Sequence, residues 1–181
     1  SELQVTFNNT DGTLNVNAGT MVLNGGGVAN AGATIEVAST AALEFKSSYN
    51  IDDAAGLLGQ GEYKLSAGTL TLNGTAEVYD FQLAGGILSG DQTFTQGLTW
   101  TNGSFTSGTT TNASTSTFTI NNLSSNVLAD RDVDNLGTVE WLQGDLILNA
   151  GSVFTNNGIF NDSADARVRT SSGLTGVFTI G

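Results

Sequence analysis

Apolar and polar residues alternate one by one in short runs along most of the chain. The pattern runs through Leu3-Gln4-Val5-Thr6-Phe7 and Leu14-Asn15-Val16, then Ile35-Glu36-Val37, Leu43-Glu44-Phe45 and Tyr63-Lys64-Leu65. It continues at Leu70-Thr71-Leu72, Phe81-Gln82-Leu83, Leu98-Thr99-Trp100 and Phe118-Thr119-Ile120. Val139-Glu140-Trp141, Leu146-Ile147-Leu148 and Phe178-Thr179-Ile180 complete it. Period two predicts strands with one buried and one wet face. Each run is very short, often three to five positions. Between the runs stand Asn24-Gly25, Asn73-Gly74, Asn102-Gly103 and Asn157-Gly158, dipeptides that turn the chain because both residues tolerate positive φ. Taken alone, they suit hairpins and an antiparallel sandwich.

Internal echoes favour a different architecture. Ala-Gly-Thr-x-x-Leu-Asn-Gly occurs at Ala18 to Gly25 and at Ala67 to Gly74, a spacing of 49 (67 minus 18). Trp100-x-x-Gly103 returns as Trp141-x-x-Gly144, a spacing of 41 (141 minus 100). Asn135-Leu136-Gly137-Thr138-Val139 returns as Asn156-Asn157-Gly158-Ile159-Phe160, a spacing of 21 (156 minus 135). Short strands, tight punctuation and such repeats fit a solenoid coil of roughly 20–25 residues, with the two longer spacings each equal to two coils. The expected fold is all-β, a right-handed parallel β-helix (β-solenoid) of roughly seven to eight coils. It would form one domain over residues 1–181, which can be a segment of a longer protein. In such a stack each strand pairs with its equivalents above and below, and Asn at corners can form amide ladders. Two stretches break the alternation. Asn50 to Gly61 reads as a helical turn or protruding loop, and Thr106 to Thr117 as a polar face or loop.

Composition narrows the chemistry. Only 12% of residues are charged, so the wet surface must come from Thr, Asn, Ser and Gly. The net charge of −12 repels phosphate backbones, which argues against nucleic acid. The chain has no Cys and no His, which removes disulfides, thiolate metal sites and the commonest general base. No apolar stretch approaches the ~20 residues of a membrane-spanning helix.

Candidate sites are few. Asp130, Asp132 and Asp134 alternate as in a calcium loop, but Asn135 and Trp141 stand where that loop needs Gly and Glu. The plainer reading is a strand with Val133 inward and the carboxylates in water, their repulsion partly offset by Arg131. Asp52-Asp53 could serve as paired carboxylates on a glycosidic bond, although solvated loop charges are the commoner case. The basic inventory is Lys46, Lys64, Arg131, Arg167 and Arg169. Arg167 and Arg169 share one strand face and could grip an acidic substrate or cap the stack. Trp100 and Trp141, at equivalent repeat positions, are expected in the core rather than as sugar platforms. Thr is abundant but raggedly spaced, which argues against a regular Thr lattice. No catalytic residue, metal site or cofactor is assigned.

The wording Gly-Thr-Leu-x-Leu-Asn-x-Gly, seen at Gly12 to Asn17, Gly19 to Gly25 and Gly68 to Gly74, resembles repeat regions of large bacterial surface and secreted proteins. The Asn-x-Gly-Thr-Val-x-Trp and Asn-Asn-Gly-x-Phe phrases in Val133 to Asn161 share that style. Autotransporter passengers and filamentous-haemagglutinin-like adhesins are such families. The resemblance implies a right-handed parallel β-helix and an extracellular, non-catalytic, structural or adhesive module at the cell surface. It carries over no site residues. Self-association through end strands, starting at Leu3 to Phe7, and a glycan or cell-surface partner are the expected contacts. A carbohydrate-binding or polysaccharide-degrading β-helix is the alternative, favoured if Asp52, Asp53 and the Arg pair line one groove. An antiparallel sandwich that binds sugar with calcium is a third reading.

Overall fold

A computed structural model describes residues 1–181, apart from the side chain of Ser125. The chain winds into a parallel β-solenoid of about 8 turns, all-β and without a helix. Every strand pairing is parallel. Each coil has three faces, visited in the same order. Face A begins at Glu2–Leu3, face B at Phe7–Asn9 and face C at Thr13–Val16. The next coil repeats them as Gly19–Leu23, Gly27–Ala29 and Thr34–Val37. In the middle of the molecule one strand can bend round the corners. Gly74–Ser89 contributes to face C, then A, then B.

The core is a set of columns running along the axis. On face A, Leu3, Leu23, Phe45, Leu65, Leu83, Trp100, Ile120 and Trp141 are in register on successive coils. From Leu23 onward these side chains are buried, as the alternation requires. Aromatic rings fill the middle of the tube. Trp100 meets Phe105 edge-on at 4.7 Å, and Phe81 meets Phe94 at 5.2 Å. Packing between coils is the main stabilising term, because one coil has no second layer of its own.

The sequence echoes acquire physical meanings. Asn135↔Asn156 and Val139↔Phe160 are direct neighbours, so the echo from Asn135 to Asn156 is one coil. The Trp-x-x-Gly echo is two coils on one face. Trp100 Nε1 donates to Gly103 O at 3.2 Å and Trp141 Nε1 to Gly144 O at 2.8 Å. Both glycines have positive φ, and a Cβ on Gly144 would lie 1.8 Å from the Asn122 carbonyl oxygen of the coil before. The motif is therefore a corner device: the indole satisfies a carbonyl that the turn takes out of the ladder.

The echo from Ala18 to Ala67 corrects the expectation of two coils. Leu23 is in register with Phe45 and, one coil further, Leu65. Two coils therefore advance the numbering by 42 (65 minus 23), short of the 49 that separates the copies. The second copy lies one face further on, in Thr69–Leu72 of face B, whereas the first lies in face A. The related phrase at Gly12 to Asn17 lies in face C. The same wording thus builds all three faces, and the elementary repeat is a face with its corner.

Other expectations change as well. The Asn50 to Gly61 stretch is not a protruding loop: Tyr49–Ile51 and Gly56–Leu65 are strands joined by a short turn at Asp52 to Ala55. Leu3 to Phe7 is not one strand, since Glu2–Leu3 and Phe7–Asn9 belong to faces A and B with a corner at Val5 between them. The Asn-Gly pairs make corners, not hairpins. Thr106 to Thr117 is mostly strand, with its break at Ala113 to Ser116.

Candidate functional site

Faces C and A meet at a corner of variable length, and that variation shapes the surface. The corner is longest between the in-register inward residues Ile35 of face C and Leu43 of face A. It shortens at Leu57 to Tyr63, again at Ala76 to Phe81, and further at Phe94 to Leu98. At Asn112 to Phe118 it lengthens again. The corner is therefore most withdrawn at Ala76 to Phe81 and Phe94 to Leu98, between one ridge carrying Ser39 and Thr40 and another ending at Thr117. The result is an open groove of about 750 Å³ along the tube axis.

Polar side chains on neighbouring rungs line this groove. Asp80 and Glu62 are in-register partners on face A. Gln82 Nε2 donates to Asp80 Oδ2 at 3.0 Å, which holds that carboxylate. Gln60, Gln96, Thr99 and Thr119 add amides and hydroxyls. Tyr79 borders both this groove and an adjoining hollow that includes Glu77, and it is 66% exposed. It is the one exposed aromatic ring among the described residues. The floor beneath is rigid. Tyr63 is fully buried, and its hydroxyl donates to Leu58 O at 2.6 Å and lies 2.9 Å from Ile35 O. Burial raises the Tyr63 phenol, and burial likewise pushes Tyr49 up to about 12.

None of the candidate site residues read from the sequence lies in this groove. Asp52 and Asp53 sit at the corner between faces B and C in the third coil. Arg167 and Arg169 lie in the last coil. These groups are scattered, which removes the one arrangement that favoured a cleft built from them. Arg169 Nε instead meets Asp145 Oδ2 at 2.7 Å, and that hydrogen bond leads the effects holding the Asp145 carboxyl below its usual range. Among the described residues no group of three or more acidic side chains converges as metal ligands, Asp130, Asp132 and Asp134 included. Asp132 accepts from Val153 N at 3.1 Å.

Val133 points inward as expected, but Arg131 does too, and is 1% exposed. It is buried rather than set in water beside the carboxylates, but it still interacts electrostatically with Asp132. Its Nη1 donates to Gly90 O and Ser107 O, both at 2.6 Å. Nε reaches Thr110 Oγ1 at 3.1 Å, with Nη2 on the same oxygen, and the guanidinium lies 5.6 Å from the Phe105 ring centre. Burial pulls its pKa down to about 10, against the opposite pull of Asp91 and Asp132. The side chain fastens corner carbonyls from two preceding coils.

Trp100 and Trp141 are buried, at 0% and 3% exposure. The Thr residues are less ragged than their spacing suggests. On the outside of face C, Thr75, Thr93 and Thr111 are in register, followed by Asp134, Thr155 and Thr179. Unequal corners absorb the uneven spacing. The column is single, and Asp134 interrupts it.

No protein-family model, curated protein or solved structure matches this chain significantly.

Proposed function

We propose that this chain is a non-catalytic structural or adhesive module of a bacterial cell-surface or extracellular assembly. The observation that carries the reading is the single core running unbroken through the coils beneath three polar faces. Such a body keeps its shape without a metal, a disulfide or a second domain, and it offers long flat surfaces for contact. The Gly-Thr-x-x-Leu-Asn wording on faces A and B, with its Gly-Thr-Leu-x-Val-Asn relative on face C, supports the link to secreted repeat proteins.

The three strands of the first coil and the three of the last each have one edge with no partner within residues 1–181. These edges suit self-association by strand addition. The surface charge disfavours nucleic acid, and neither a membrane span nor a cofactor is part of the proposal. Antibodies raised against the folded chain test the reading on cells of the producing organism. Labelling of intact cells or of extracellular material is expected. Labelling only after permeabilisation would overturn it. A second reading, carbohydrate binding, is favoured by the groove beside Tyr79.

A further inference from the structure

We infer that the groove between faces C and A binds a neutral glycan chain laid along the solenoid axis, with Tyr79 as the stacking platform. The inference deepens the adhesive reading, on which it rests for its biological setting. Its physical grounds are separate.

The first ground is shape. The groove crosses the face-A rungs marked by Thr20, Ala42, Glu62, Asp80, Gly97 and Thr117, five steps along the axis. At the ~4.8 Å strand spacing this is about 24 Å, so it suits an extended polymer better than a compact metabolite. The rung spacing is close to the length of one pyranose unit. Polar groups on each rung can therefore meet successive sugar rings.

The second ground is chemistry. Sugar hydroxyls both donate and accept, and the lining offers carboxylate acceptors, amides and hydroxyls that match them. A sugar ring also has an apolar C–H face, and the exposed Tyr79 ring supplies the flat surface that such a face covers. The hydrogen bond from Gln82 fixes Asp80 before any ligand arrives.

The third ground is charge, and it selects among glycans. Glu62, Asp80 and the adjoining Glu77 are acidic, and none of the five Lys or Arg residues lines the groove. A uronate polymer would meet like charge without a compensating cation. A neutral chain meets no such penalty.

Affinity electrophoresis in gels containing hydroxyethyl cellulose, galactomannan or dextran tests the inference, with polygalacturonate as the anionic comparison. At least one neutral polymer is expected to retard the wild-type protein, and polygalacturonate is not. Tyr79→Ala should weaken that retardation about tenfold or more, and Glu62→Gln with Asp80→Asn should weaken it too. Because Tyr79 is exposed, its variant should melt like the wild type, which separates lost binding from lost fold. Three results would each overturn the inference: no retardation by any neutral polymer, preference for polygalacturonate, or equal retardation of Tyr79→Ala. None of these bears on surface labelling, so the adhesive reading stands or falls by its own test.

Discussion

Replacing Asn135 with Ala should loosen the C-terminal half of the solenoid more than any exposed substitution. Asn112, Asn135 and Asn156 stack in register inside face C and are buried. Asn112 Nδ2 donates to Asn135 Oδ1 at 2.6 Å, and Asn135 Nδ2 donates to Asn156 Oδ1 at 2.5 Å. Asn135 Nδ2 also reaches Ile159 O at 3.0 Å, and its Oδ1 accepts from Gly137 N at 3.2 Å. Truncation leaves Asn156 Oδ1 without this donor and deprives Asn112 Nδ2 of one acceptor. Gly137 N keeps Asn112 O at 3.2 Å, so it costs little. Two compromised buried groups at about 1–3 kcal/mol each give a loss of about 3 kcal/mol. Repeat stacks couple mainly to their neighbours, so the loss should be local. Amide hydrogen exchange in the coils from Thr110 to Phe154 should speed up by roughly a hundredfold, at about 1.4 kcal/mol per decade. The control is Asn24→Ala. That side chain is exposed and bonds only Glu2, and its removal should change stability by less than about 0.5 kcal/mol. Equal exchange in the two variants would refute the claim that the amide ladder holds these coils together.

Three further outcomes follow from single contacts. Gly144→Ala should destabilise strongly in urea melts, because its Cβ would overlap the Asn122 carbonyl; Gly151→Ala, with positive φ but open space, should lose only about 1 kcal/mol. Equal losses would show that backbone conformation alone decides. Arg131→Met should cost about 2–4 kcal/mol by stripping donors from Gly90 O, Ser107 O and Thr110 Oγ1, and Arg131→Lys should recover little of it, since an ammonium cannot span all three. Stability should fall as pH rises from about 10 towards about 12, because the buried Tyr49 and Tyr63 phenols hold protons in the folded state that the unfolded chain gives up. Arg131 works in the opposite direction over its lowered range, so Tyr49→Phe with Tyr63→Phe should flatten or reverse the fall in urea midpoint. An unchanged slope would contradict the assignment.

The alternation of apolar and polar residues made the coils legible, because inward and outward positions differ by parity within each strand. Parity also marks Arg131 as inward, since it shares a strand face with Val133 and Asn135. A guanidinium in a core runs against expectation, and only the corner carbonyls of Gly90 and Ser107 explain it. Corner length was not legible. Unequal corners between faces C and A, from the long one after Ile35 to the short one after Phe94, hide the regular Thr column behind ragged spacing. They also create the groove, which joins residues from Gly19 to Thr119. One local signal was present: Tyr79 and Asp80 are two successive outward residues between inward Val78 and Phe81, which marks a tight corner.

The most direct test of the stacked coils is a ladder of spin-label distances. The chain has no Cys, so labels go only where they are introduced. Glu44, Lys64, Gln82, Thr99, Thr119, Glu140 and Asn161 are in register on the outside of face A. Double electron–electron resonance from Glu44→Cys to cysteines at Thr99, Thr119, Glu140 and Asn161 should give distances that grow evenly, by about 4.8 Å per coil. Distances that rise and then shorten along this series would mean a chain that doubles back, and would contradict the solenoid.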